Sequence, residues 1–165
     1  MSSGLLDIER RVVSAAIESL LTWAPLTDLV SDRIVRRKDA STMKAFPAVY
    51  VECYNMSEWG LHTGNHLGGL RLGGMSYKDD DPDQDQVYQI LGAFRSWLFQ
   101  NGIVTILNNT LSARTAGSEV WFFECTQDMH GQGGNAAYIT SNVNMDRTNE
   151  AVIEATIICM PSRPS

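Results

Sequence analysis

Leu5–Val51 reads LLDIERRVVSAAIESLLTWAPLTDLVSDRIVRRKDASTMKAFPAVYV, and the order of elements within it decides the fold class. Leu5, Ile8, Val12, Ala16 and Leu20 recur every three or four residues, with Val13 and Ile17 widening the stripe. That is helix spacing with one buried face. Glu9, Arg10, Arg11 and Glu18 fall mostly off the stripe, where a solvated face belongs. Pro25 marks the predicted helix end, so about 19 residues make a rod of roughly 28 Å. Thr27 or Asp28 is placed to cap a short turn through Leu29 and Val30, ahead of Arg33-Ile34-Val35. Pro47 lacks an amide donor and fits only the start or edge of a strand. Ala48, Val49, Tyr50, Val51 and Cys53 then read as a partly buried strand.

Working outward, six glycines punctuate Gly60–Gly74, with Leu61, Leu67, Leu70 and Leu72 between them. This pattern predicts a flexible hairpin or long arm rather than a packed element. Asp81-Pro82-Asp83-Gln84 is a helix start, with a capping carboxylate, proline at the first position and acids near the positive helix end. Val87, Ile90, Leu91, Phe94 and Leu98 form its buried stripe, and Asn101-Gly102 supplies the stop. Ile103 to Leu107 is a short apolar run ending in an Asn108-Asn109 turn. Val120–Thr126, Ala137–Val143 and Val152–Met160 complete the expected sheet. In the last of these Ile153, Ala155, Ile157 and Cys159 share one face, with Glu154 and Thr156 on the other. The expectation is one α+β domain over 1–165: two helices packed on a mostly antiparallel sheet, residues 60–80 forming a glycine-rich arm, and 161–165 a frayed tail.

Composition narrows the function classes. A hydrophobic fraction of 44% with 19% charged residues describes a globular chain able to bury a core. Thirteen basic against nineteen acidic residues leave a net charge of -6, whose long-range field opposes nonspecific binding to phosphate backbones. No apolar run approaches the roughly 20 residues of a membrane-spanning helix. Asp7 and Glu9 interrupt the first apolar positions, which is wrong for a signal peptide. Cys53, Cys125 and Cys159 are odd in number, widely spaced and set in apolar stretches, so buried free thiols and synthesis in a reducing cytoplasm are expected.

Each chemical motif fails at a named position. His62 and His66 have the spacing of two metal ligands on a helix, but Gly60, Gly64, Gly68 and Gly69 surround them and no third ligand is near. Asp79, Asp81 and Asp83 imitate the opening of a calcium loop, yet Gln84 and Ile90 stand where glycine and glutamate are required. Gly131-Gln132-Gly133-Gly134-Asn135-Ala136 loosely matches a dinucleotide fingerprint, but a strand-like segment follows where a helix must hold the pyrophosphate. No nucleophile elbow, phosphate loop or Cys-x-x-Cys pair occurs. No catalytic residue, cofactor or metal is therefore assigned. Arg33, Arg36, Arg37 and Lys38 form a basic cluster without interleaved aromatics. It reads as a solvated loop or an intersubunit surface, with a nucleic-acid-binding module as the rival. Trp59, beside the glycine-rich arm, is the leading interface candidate, because tryptophan is enriched among interface anchors. Leu61, Leu67 and Leu70 on the arm, with Arg36 and Arg37, complete the candidate oligomer or partner surface.

The order helix, Leu29-Val30-x-Asp32-Arg33-Ile34, variable loop, Phe46-Pro47-Ala48-Val49-Tyr50-Val51 resembles the tail terminator, or tail-completion, proteins of tailed bacteriophages. In that family a hairpin, a second helix and closing strands follow, here Pro82–Gln100 and Val152–Met160. The resemblance covers most of the chain and rests on element order rather than on a catalytic signature. It implies a structural, non-enzymatic virion protein: a homohexameric ring that caps the tail tube and joins it to neck or connector proteins, while genomic DNA passes through without specific binding. Another neck or tail component, such as a head-closure or tube protein, is the structural alternative.

Overall fold

The computed structural model describes residues 7–58, 60, 64–127, 137–140 and 147–161. The amphipathic stripe becomes α1 (Ile8–Leu20), which buries Ile8, Val12, Val13, Ala16 and Leu20. It stops before Pro25. That proline sits in the first turn of α2 (Ala24–Val30), where a missing amide costs nothing. Ser31, at a φ of 54°, turns the chain into β1 (Ile34–Arg36), and α3 (Arg37–Ala40) follows. After the cis Phe46-Pro47 bond, β2 runs Ala48–Glu58.

The glycine-rich stretch departs from expectation. Residues 66–77 are not part of an arm: they form β3 (His66–Tyr77), hydrogen-bonded to a strand on each side, with Leu70 and Leu72 fully buried. The glycines are there for close approach. An added Cβ at Gly73 would enter the Tyr50 ring, at Gly69 the Tyr54 ring, and at Gly74 would meet Ile90 Cγ2 at 2.5 Å. Hydrophobic periodicity is weak in such a strand because the neighbours fill the space that its own side chains leave.

The second long helix, α4 (Asp85–Leu98), begins later than its proline suggests, behind Gln84 in a left-handed conformation. Asp81 still serves it from a distance. One carboxylate oxygen accepts from the Gln86 amide at 3.0 Å and the other from the buried Ser76 hydroxyl at 2.7 Å. The apolar run after Gly102 is helical, as α5 (Ile103–Asn108), and a single turn, α6 (Leu111–Arg114), comes next. The closing strands are β4 (Trp121–Gln127), β5 (Ala137–Thr140) and β6 (Thr148–Met160). Among the described residues the sheet has the order β1-β2-β3-β6-β4. β5 shares the β4 side of β6, pairing with its first half while β4 pairs with its second. Only the β1–β2 pairing is parallel. The fold is α+β, as expected.

One face of this sheet carries α1 and α4. Val49 and Val51 of β2, Leu70 and Leu72 of β3, and Ile153, Ala155 and Ile157 of β6 join Val12, Leu20, Ile90, Phe94 and Trp97 in a single apolar cluster. Arg11, expected on the solvated side of α1, is only 4% exposed. Its guanidinium donates to the carbonyls of Glu119 at 2.9 Å and Gly117 at 3.2 Å, and reaches that of Pro161 at 3.4 Å. Three carbonyls converge there, and the Asp7 carboxylate lies 3.0 Å from the Arg11 Nε, which together keep a cation inside. No helix of the described residues is long and apolar enough to cross a membrane.

Two glycine substitutions separate packing from propensity. Gly73→Ala should lower stability by about 1–3 kcal/mol, because the Tyr50 ring has no room to retreat. Gly92→Ala, on the open side of α4 with nothing within 4 Å of the new methyl, should raise it by roughly 0.8–1 kcal/mol. Urea-unfolding midpoints of the two variants check both signs.

Candidate functional site: an interaction surface

The residues expected to form one partner surface are placed apart. Trp59 and Leu61 lie outside the described residues, as do His62, His130 and the Gly131–Gly134 loop. Leu70 is fully buried in the core and cannot meet a partner. Leu67 is half-buried beside Tyr54, Ser57 and Thr156 in a shallow depression of about 310 Å³. The basic cluster is dispersed as well. Arg33 donates to the Pro47 carbonyl at 2.7 Å, and Arg36 to the Ser14 hydroxyl of α1. Arg37 lies over the Tyr50 ring, 4.9 Å from its centroid, and 4.0 Å from a Glu52 oxygen. Three of the four cations therefore hold the chain to itself.

Arg37 belongs to a ladder across the face of the sheet opposite α1 and α4, on which the short α3 lies. Tyr50 and Tyr54 extend from β2 over Gly73 and Gly69 of β3, the residues opposite them in register. Their hydroxyls reach β6, where Tyr50 donates to Glu150 at 2.6 Å and Tyr54 to Glu154 at 2.7 Å. Arg71 stands between them, 3.3 Å from Glu52, 3.4 Å from Glu154 and 4.5 Å above the Tyr54 ring. The Tyr50 end is closed by Ala40, Ala48 and Met75, with Val35, Met43 and Phe46 against them. Burial pushes the Glu150 carboxyl above its ordinary range, and the Tyr50 hydrogen bond together with Arg37 and Arg71 only partly offsets this. The ladder is a structural brace: its polar groups face one another, and its most buried carboxylate already has a donor.

Surface that a partner could cover lies elsewhere, on residues that no motif marks. Leu111 is 77% exposed, Phe99 64% and Tyr88 57%, with Leu21 and Phe123 also exposed. Leu111 opens α6, whose N-terminal amides at Leu111 and Ser112 donate to the Glu18 carboxylate of α1 at 2.6 and 3.0 Å. Beside this junction a groove of about 460 Å³ runs between α1 and β1, with Ile17, Leu21, Ile34 and Val35 in its walls. Tyr88, Gly92 and Phe99 share the outer side of α4. Tyr88 falls between core positions of an amphipathic helix, and Leu111 lies in a turn too short for any period. Neither position therefore carries a periodic signal in the sequence.

Reactive groups are shielded. Cys125 and Cys159 are buried free thiols, each pushed up to about 12 by burial, and the half-buried Cys53 is raised further by the same cause. Among the described residues no three His, Cys, Asp or Glu side chains are grouped to hold a metal ion. The arrangement can brace a sheet and present apolar contact surface. No family model matches the chain, and no characterised protein matches it in sequence.

The raised Glu150 acidity gives a pH test. Its folded value lies above its unfolded one, so its contribution to stability is full below the unfolded value and lost as pH rises through the folded one. Glu150→Gln should remove that loss, making the variant's melting temperature gain on the wild type from about pH 4.5 upward. Parallel curves for the two proteins between pH 4 and about 8 would mean that the carboxylate carries no penalty.

Proposed function

We propose that the protein is a structural component of a phage virion, a tail terminator whose copies, six by the resemblance, close into a ring at the head-proximal end of the tail. The carrying observation is the element order. Helix α1, the Arg33-Ile34 turn, the proline-led β2, the β2–β3 hairpin, α4 and the closing β6 follow one another in a single domain. That is the series on which the resemblance rests, now with the glycine-rich segment as half of the hairpin.

The mechanism is geometric. Subunits match the symmetry of the tube, stop its growth, and present their other side to the neck or connector. Exposed leucines and aromatics on α6, α4 and the end of α1 supply contact area for neighbours, since a monomer gains nothing from a leucine at 77% exposure. The net charge of -6 suits a channel wall along which DNA slides without being held. On this reading the partners are further copies of the chain, the tail tube protein and the neck proteins, and the protein has no enzymatic activity.

Native mass measurement and negative-stain imaging test the reading. The wild type should form rings, alone or on addition of tube protein. Leu111→Glu should weaken assembly by about 10-fold or more, since burying one leucine is worth about 1.5–3 kcal/mol. The variant's subunit stability should hold, because the Glu18 contacts use backbone amides. A wild-type protein that stays monomeric and ignores tube ends would sink the proposal.

A further inference from the structure

The fold scatters the cations that neighbour one another in sequence and gathers others that do not. Lys44, Lys78 and Arg147 come from the loop before β2, the end of β3 and the start of β6. They line two adjoining clefts of about 330 and 450 Å³, with Tyr77 and Arg147 common to both. Ser41, Thr42, Met43, Phe46 and Thr148 complete the first cleft, and Asp79 is the one carboxylate lining the second. Phe46 meets Tyr77 edge-on, with ring centroids 4.6 Å apart and planes at 62°, which fixes an aromatic wall beside the cations.

The pairing at the strand ends makes this cluster costly. The Lys78 amide donates to the Arg147 carbonyl at 2.9 Å, one step beyond the Tyr77–Thr148 pair that ends the β3–β6 ladder. Two cations are thus held as cross-strand neighbours, an arrangement that destabilises a sheet. Among the described residues neither has an ion-pair partner, and Lys44 has none. Carboxylates are not scarce, with nineteen acidic residues against thirteen basic ones. Arg10, Arg11, Arg37 and Arg71 find acids, whereas Lys38, Arg95 and Arg114 stand singly without an ion pair among the described residues. Lys44 and Arg147 share the first cleft and Lys78 and Arg147 the second, so Arg147 joins the three into one basic rim beside an aromatic wall, with no ion-pair partner among the described residues.

We propose that these adjoining clefts together bind a nucleoside phosphate group, its phosphates lying at Arg147 between Lys44 and Lys78 and its base against one ring of the Phe46–Tyr77 pair. Phosphate relieves the Lys78–Arg147 repulsion, since each cation gains a charge-assisted hydrogen bond to the same acceptor. The aromatic wall tolerates any base, because stacking needs only a flat ring. The Ser41 hydroxyl adds a neutral donor, while the Thr42 hydroxyl is already committed to the Asp39 carbonyl at 3.0 Å. Either a free nucleotide or a stretch of single-stranded nucleic acid offers this chemistry. The site shares no lining residue with the cluster Arg33–Lys38.

The test is calorimetric titration of the full chain with ATP and, separately, with a short oligothymidine, at low salt. At least one probe should bind, and the tighter of the two identifies the source. Lys44→Glu combined with Arg147→Glu should weaken that binding by about 10-fold or more. Arg95→Glu combined with Arg114→Glu changes the net charge equally and lies outside the cleft, so it should leave the affinity within about 2-fold. Raising salt from about 50 to about 200 mM should weaken the wild-type complex several-fold. Equal losses in both double variants would show only a general charge effect and overturn the proposal. So would the absence of binding by either probe at about 1 mM, far above the range of a specific contact. All substituted side chains are exposed or at the surface of a cleft, and circular dichroism checks that each variant folds.

Discussion

Tyr50 can lie across β3 only because Gly73 opposite it has no side chain, and the rest of the sheet is organised around that steric vacancy. The ring fills the space above the glycine, and its hydroxyl meets Glu150 one strand further on. Tyr54, Gly69 and Glu154 repeat the device four residues along β2. Each tyrosine thereby ties three strands together, in addition to the backbone ladders. Any larger residue at the glycines would lift the rings away, taking the hydroxyl donor from Glu150 and leaving Glu154 to Arg71. On the opposite face Gly74 lets Ile90 of α4 come close, so glycine in β3 serves both layers.

The two faces of the sheet are consequently different in kind. The face under α1 and α4 is apolar and continuous, whereas the other is a ladder of tyrosine, arginine and glutamate partly covered by residues 37–48. Arginine acts here chiefly as internal fastening. Arg11 gathers three carbonyls, Arg33 holds the carbonyl of Pro47, and Arg71 spans two glutamates. The sheet edges are also managed. β1 is three residues long, and on β4 the Asn108 amide bonds both backbone groups of Phe122, at 2.7 and 3.0 Å. A side chain that completes an edge residue's pairing removes it as a template for another strand.

Much of this was readable from local pattern. The stripe of α1, the stripe of α4, the strand after Pro47 and the alternating faces of β6 follow from period alone, because burial of one face imposes its period on the residues. The failures share a cause. The Gly60–Gly74 pattern reads as a flexible hairpin or arm because the space at Gly69, Gly73 and Gly74 is filled by Tyr54, Tyr50 and Ile90 of other elements. Arg11 looks solvated because the carbonyls that hold it come from residues more than a hundred positions away. Asp81 looks like the cap of the next residue, yet it caps α4 from five residues back while also holding Ser76. Leu70, expected at a partner surface, is core for the same reason that β3 is central.

By itself the sequence determined the α+β class, the two long helices and which of their faces are buried, since these depend on contacts that recur every few residues. It also determined the resemblance of element order on which the functional proposal rests. The tertiary structure alone decided which polar groups are spent inside and which are left at the surface. Strand register brings Lys78 opposite Arg147 and separates Arg33, Arg36 and Arg37 from one another. Electrostatic character belongs to distances in space, and those are set only when β3 has found its place between β2 and β6.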